Sequence, residues 1–133
     1  MSLRRIVVAD DDGSVRSLLR LTLPAEGVEV VEARDGEEAL DLIGAHLPDL
    51  LLLDWRMPGR SGADVLEHVR RVHPELPVIV LTADTKGPSR ALAEMLGAET
   101  FLTKPFSPLE LLETVERLLP ELALDPGRAG PEP

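Results

Sequence analysis

The chain has 133 residues, 44% of them hydrophobic, with 24 acids against 14 bases for a formal charge of −10. This is enough apolar material for one core but too little length for a second, and it excludes wholesale disorder. The acid surplus argues against gripping nucleic acid or anionic lipid. The absence of cysteine removes disulfides, thiolate zinc sites and thiol catalysis, and fits a reducing cytoplasm.

The N-terminal stretch Met1–Arg5 lacks the apolar run of a signal peptide, and nowhere does the chain reach the roughly 20 apolar residues that span a membrane. Ile6–Ala9 is the first of four short, nearly continuous apolar runs that read as strands buried on both faces. Gly13–Leu23 follows with helical spacing, placing Val15, Leu18, Leu19 and Thr22 on one face. Val28–Val31 is the second strand. Asp35–Ala45 is the second helix, with Ala39, Leu42 and Ile43 together and Asp35 and Glu38 spaced as a capping box. Leu50–Leu53 is the third strand. Gly62–Val72 stacks Val65, Leu66, Val69 and Val72 on a third helix. Val78–Leu81 is the fourth strand, and Pro88–Leu96 is a helix stopped by Gly97. Thr100–Thr103 reads as a weaker edge strand. Ser107–Leu122 is the last helix: Ser107 caps it, Pro108 fits its first turn and Glu110 closes the box. Its expected core face is Leu111, Leu112, Val115, Leu118, Leu119 and Leu122. The Pro- and Gly-rich residues 123–133 read as a disordered tail or a linker stub.

Strand–helix repeated five times predicts an α/β fold, a doubly wound five-stranded parallel sheet with its five helices on two faces. Ligands of such sheets bind beyond the carboxyl ends of the strands. There the first strand runs into Asp10, Asp11 and Asp12, the third into Asp54, the fourth into Thr82 and the fifth into Lys104, while the second ends blandly at Ala33-Arg34. A bland second strand belongs at the edge, which predicts the order 2-1-3-4-5 and makes the acids of strands 1 and 3 converge. Clustered carboxylates repel one another, and a hard cation removes that cost. Oxygen donors without Cys or His point to Mg²⁺, which usually works on phosphate. Thr82 adds a hydroxyl and Lys104 a compact positive charge, what a phosphoryl group needs. Lys104 is one of only two lysines beside twelve arginines, so a point charge suits this position better than a forked guanidinium. The constellation reads as a nucleophilic carboxylate with a metal and two phosphate stabilisers.

Four stretches together resemble the receiver domain of two-component response regulators, of the kind found in chemotaxis regulators: Ile6–Asp12, Leu52–Pro58 with Gly62, Val80–Ala83 and Lys104–Phe106. The resemblance covers residues 4–122 and implies a flavodoxin-like fold, with residues 1–122 as the domain. It implies that Asp54 accepts a phosphoryl group from a sensor histidine kinase or phosphotransfer protein. Asp10, Asp11, Asp54 and the backbone carbonyl of Arg56 would hold Mg²⁺, and Lys104 would pair with the phosphoryl oxygens. Thr82 and Phe101 would act as the switch, moving together and changing a face built from the fourth helix, fifth strand and fifth helix. That face would be read by an effector protein or by a fused output domain absent from this sequence, and a homodimer through it is left open. The Lys104–Pro105 peptide is expected to be cis. Gly13 departs from the family, which often has proline there.

Blander assignments apply to several neighbours. Asp12 is expected to serve the helix dipole. Trp55 is expected to be an incidental neighbour of the site, Met57 and Pro58 to shape a loop, and His46, His68 and His73 to be surface residues. An ion pair between Arg56 and Asp84 that obstructs attacking water is one of two arrangements the sequence leaves open. A phosphohydrolase of the haloacid-dehalogenase type is the competing class, but its nucleophile follows the first strand in an Asp-x-Asp pattern, unlike Asp54. Nucleotide binding lacks its glycine-rich loop. The chain is therefore expected to be a phosphoacceptor that takes part in its own phosphorylation and dephosphorylation, not a multiple-turnover enzyme.

Overall fold

A computed structural model describes residues 4–23, 26–83 and 88–119. The expectations for residues 123–133, for Asp84 and for Leu122 fall outside them. Among the described residues ten elements alternate: β1 (Arg4–Ala9), α1 (Gly13–Thr22), β2 (Val28–Ala33), α2 (Gly36–His46), β3 (Leu50–Asp54), α3 (Gly62–Val72), β4 (Val78–Thr82), α4 (Pro88–Met95), β5 (Thr100–Thr103) and α5 (Pro108–Leu118). All strand pairs are parallel, in the predicted order β2-β1-β3-β4-β5.

The pleat sorts the side chains into two cores, since alternate residues of a strand face opposite sides. Val7, Ala9, Leu51, Leu53, Val78 and Val80 pack with Ala39 and Ile43 of α2, Val65, Leu66 and Val69 of α3, and Ala93 of α4. Ile6, Val8, Leu50, Leu52, Ile79, Leu81 and Leu102 pack on the other side with Leu19 of α1 and Leu111 and Val115 of α5. β3 lies at the centre and all five of its residues are buried. This explains why Leu50–Leu53 shows no alternation in sequence. Among the described residues, no helix is long and apolar enough to cross a membrane.

Several local expectations need correction. Val72 is half exposed, because the stripe of α3 turns away from the sheet at its last turn. Leu112 lies outside both cores. Asp35 caps α2 by accepting from the Glu38 amide at 2.8 Å, but the Glu38 carboxylate accepts from the Arg34 amide at 2.7 Å, so the reciprocal half of the box reaches one residue further back. The three histidines are partly exposed, in keeping with their reading as surface residues.

Asp12 is the N-cap of α1, and its Oδ1 accepts from the Ser14 hydroxyl and the Ser14 amide, which together keep its carboxyl below the usual range. Gly97 follows α4 at φ +93, the left-handed conformation that favours glycine. The Ser107–Glu110 box at the start of α5 is complete. Ser107→Ala is expected to lower stability by about 1 kcal/mol, measured as the midpoint shift in urea unfolding at unchanged slope.

Candidate functional site

The register of the sheet assembles the site. Ala9 pairs with Leu53, so Asp10 and Asp54 leave neighbouring strands side by side. Thr82 pairs with Thr103, which places Lys104 next in line. The residue after each strand remains tied to the ladder: Asp10 N–H donates to Ala33 O at 3.1 Å, Trp55 N–H to Leu81 O at 3.0 Å and Lys104 N–H to Thr82 O at 2.8 Å. By pleat parity, Asp10, Asp54 and Lys104 continue the Ile6, Leu52 and Leu102 sets on the side of α1 and α5. Thr82 and Phe101 continue the Val78–Val80 side, which faces α4.

Asp10, Asp54 and Thr82 are buried, while Asp11 is exposed. Carboxylate oxygens of Asp10, Asp11 and Asp54 lie within 4.8 Å of one another, the one such cluster of His, Cys, Asp or Glu among the described residues. The Lys104 ammonium sits 2.8 Å from Asp10 Oδ2 and 3.3 Å from Asp54 Oδ1. Asp10 Oδ1 accepts from the Asp12 amide at 2.9 Å, whereas buried Asp10 Oδ2 has the ion pair but no hydrogen bond of regular geometry. Burial pushes the Asp54 carboxyl up to about 6; the Asp10 charge adds to this and Lys104 opposes it. Burial disfavours the Lys104 cation, yet the close contact with Asp10 and the charges of both acids outweigh it, and its pKa is raised. The site thus has more negative charge than one ammonium neutralises, an under-bonded buried oxygen, and only oxygen donors. This fits a hard divalent cation.

A cleft of about 340 Å³ opens over these groups, lined by Asp54, Trp55, Arg56, Thr82, Ala83 and Lys104. Arg56 is exposed, and its amide lies 3.4 Å from Asp54 Oδ1. Trp55 is buried in the core on the α3 side and lines the cleft beside Asp54. Phe101 is half-buried against the same core, with the Arg90 guanidinium 4.4 Å from its ring centre. The Lys104–Pro105 peptide is cis, as expected. A larger groove of about 510 Å³ runs between β5 and α5; its lining includes Phe101 but none of Asp10, Asp11 and Asp54.

Residues 6–116 match the family model of the response regulator receiver domain. The chain belongs to this family. Solved receivers agree in fold. A CheY-like receiver domain protein from Methanospirillum hungatei is 30% identical at a TM-score of 0.85, with 90% of this chain and 96% of that chain covered. The chemotaxis protein CheY4 of Vibrio cholerae is 31% identical at 0.82, with 88% and 99% covered. The receiver domain of NtrX from Brucella abortus is 33% identical at 0.80, with 86% and 98% covered. A longer NtrX chain from the same organism is covered over 28% of its length, so a receiver of this kind also occurs joined to further sequence. Being a receiver, this protein is a signalling module of two-component systems, with phosphorylation-dependent output.

Two contacts escaped the sequence reading. At the site, Arg16 donates from Nη1 to the Asp10 carbonyl at 2.7 Å. At the opposite edge of the sheet, away from the site, Arg70 bonds the carbonyls of Leu76 and Gly97 and the Glu99 carboxylate, tying α3 to the loops before β4 and β5. Each depends on contacts between elements, so spacing alone gives no signal for it.

Proposed function

We propose that Asp54 of this receiver accepts a phosphoryl group from a sensor histidine kinase or phosphotransfer protein, and that the resulting charge switches a partner-binding face. The observation that supports this most is the meeting of Asp10, Asp11 and Asp54 within 4.8 Å, with Lys104 between two of them. Asp10, Asp11, Asp54 and the Arg56 carbonyl would hold Mg²⁺. When bound, the ion supplies charge that offsets the crowding of acids and of the incoming phosphoryl oxygens.

In the transfer, an Asp54 carboxylate oxygen forms a bond to phosphorus as the bond from phosphorus to the donor's imidazole nitrogen breaks. The nitrogen keeps the electron pair, and the product is an acyl phosphate. No proton has to leave Asp54, because the attacking form is the carboxylate. The Lys104 ammonium pairs with the phosphoryl oxygens, and the Thr82 hydroxyl, on the opposite face of the pleat, turns toward them afterwards. Phe101 shares that face and follows Thr82. The change reaches α4, β5 and α5, where an effector protein or an output domain reads it. Residues 1–122 form this unit. A charge of −10 argues against direct binding of nucleic acid or anionic membrane, and the absence of cysteine fits a reducing, cytoplasmic setting.

Stoichiometry separates this role from that of a hydrolase. With acetyl phosphate and Mg²⁺, the protein is expected to take up one phosphoryl group per chain, and simple phosphate esters should not be turned over. Sustained phosphate release from such esters over many cycles would identify a hydrolase instead.

A further inference from the structure

Asp10 is the most buried of the acids, and its carboxylate direction depends on how its own backbone is held. Its N–H bonds Ala33 O on β2. Its carbonyl lies beyond the last β1–β3 pair, Ala9 with Leu53, and leaves the ladder there. Arg16, six residues on and one face of α1 away, donates to that carbonyl at 2.7 Å. The same guanidinium is anchored on its other edge, where Nε donates to Glu32 Oε1 at 3.0 Å. Glu32 in turn accepts from Arg20 Nε at 2.6 Å, and Arg20 also reaches the Val30 carbonyl at 3.2 Å. The Arg16 side chain is only 15% exposed, so its bonds are well shielded from competing water. Asp10 Oδ1 accepts from Asp12, whose side chain caps the helix that carries Arg16. Turn, helix and edge strand thus form one closed set of bonds around Asp10.

We infer that Arg16 is a positioning residue for the cation site: by fixing the Asp10 peptide it aims the Asp10 carboxylate at the position shared with Asp11 and Asp54. This rests on the Mg²⁺ site proposed above. Outer partners that orient ligands commonly govern metal affinity in this way. The sign of the effect separates positioning from charge. Arg16 is a cation beside a cation site, so through its field alone its loss would tighten Mg²⁺ binding. Through positioning, its loss loosens the Asp10 peptide and weakens binding.

The test is Mg²⁺ titration followed by Trp55 fluorescence, with thermal melts confirming that each variant is folded. Arg16→Met is expected to raise the Mg²⁺ Kd about tenfold. Arg16→Lys, which keeps a donor within reach of the Asp10 carbonyl, should recover much of that loss. Arg34→Met removes an exposed charge at the end of β2 that pairs with Glu38 and lies outside this set of bonds, and it should leave Kd close to wild type. An unchanged or lower Kd in Arg16→Met overturns the inference, as does an equal rise in Arg34→Met. Absence of any saturable Mg²⁺ response in the wild type would instead bring down the cation site itself, and this inference with it.

Discussion

Asp54→Asn is expected to abolish phosphoryl uptake and, at the same time, to make the metal-free protein more stable than wild type at pH 8. The first effect follows from removing the attacking carboxylate oxygen. The second follows from the cost of holding that carboxylate charged beside Asp10 in a buried site. The Asp54 pKa is raised from 3.8 to about 6 in the folded chain. Between those values the folded state keeps a proton that the unfolded state has lost, so stability falls as pH rises through this window. The cost is fully present above about pH 6 and vanishes below 3.8. A shift of that size corresponds to about 3 kcal/mol at most. The amide matches the shape without the charge, so a gain of about 1–3 kcal/mol is expected at pH 8, shrinking toward zero at pH 4. Urea unfolding with a chelator present at the two pH values measures it. Added Mg²⁺ should stabilise the wild type more than Asp54→Asn, narrowing or reversing the difference.

The second large effect is predicted at Gly62, the first residue of α3. A Cβ there would stand 2.7 Å from Trp55 Cα, 2.8 Å from Asp54 O and 2.9 Å from Trp55 O. All three are backbone atoms of the segment that carries Asp54, and the Gly62 amide itself donates to Trp55 O at 3.1 Å. Neither α3 nor β3 yields cheaply, because Val65, Leu66 and the whole of β3 are buried. Gly62→Ala is therefore expected to cost about 3 kcal/mol and to weaken Mg²⁺ binding by shifting the segment Asp54–Arg56. Gly44→Ala is the matched control. It lies inside α2 with nothing within 4 Å of the added carbon, and it should raise stability by about 0.5–1 kcal/mol. If Gly62→Ala behaves like Gly44→Ala, the close approach is not what holds Asp54 in place.

Much of the site could be read before the fold was known, for a physical reason. Asp10, Asp54, Thr82 and Lys104 each end or follow a short apolar run, and parallel strands collect their carboxyl ends on one edge of the sheet. The bland end of β2 sufficed to place that strand at the border, and the observed order agrees. Pleat parity could also have been read from the numbering: Asp10, Asp54 and Lys104 are even-numbered like Ile6, Leu52 and Leu102, whereas Phe101 belongs with the other face. What could not be read depends on contacts between elements. Glu38 has an amide within reach at either Asp35 or Arg34, and only the path of the chain into α2 selects the latter. Val72 has the right spacing for the core, but as the last residue of α3 it stays half exposed. Arg16 and Arg70 are ordinary helix arginines until the register brings the Asp10 and Gly97 carbonyls within their reach.

The most direct test of the central claim uses Trp55, which is the single tryptophan and lines the cleft with Asp54. Fluorescence should change saturably with Mg²⁺ and change again when beryllofluoride, a phosphoryl mimic, is added. In Asp54→Ala the second change should be absent while the protein remains folded. A beryllofluoride response in Asp54→Ala equal to that of the wild type would contradict Asp54 as the phosphoacceptor.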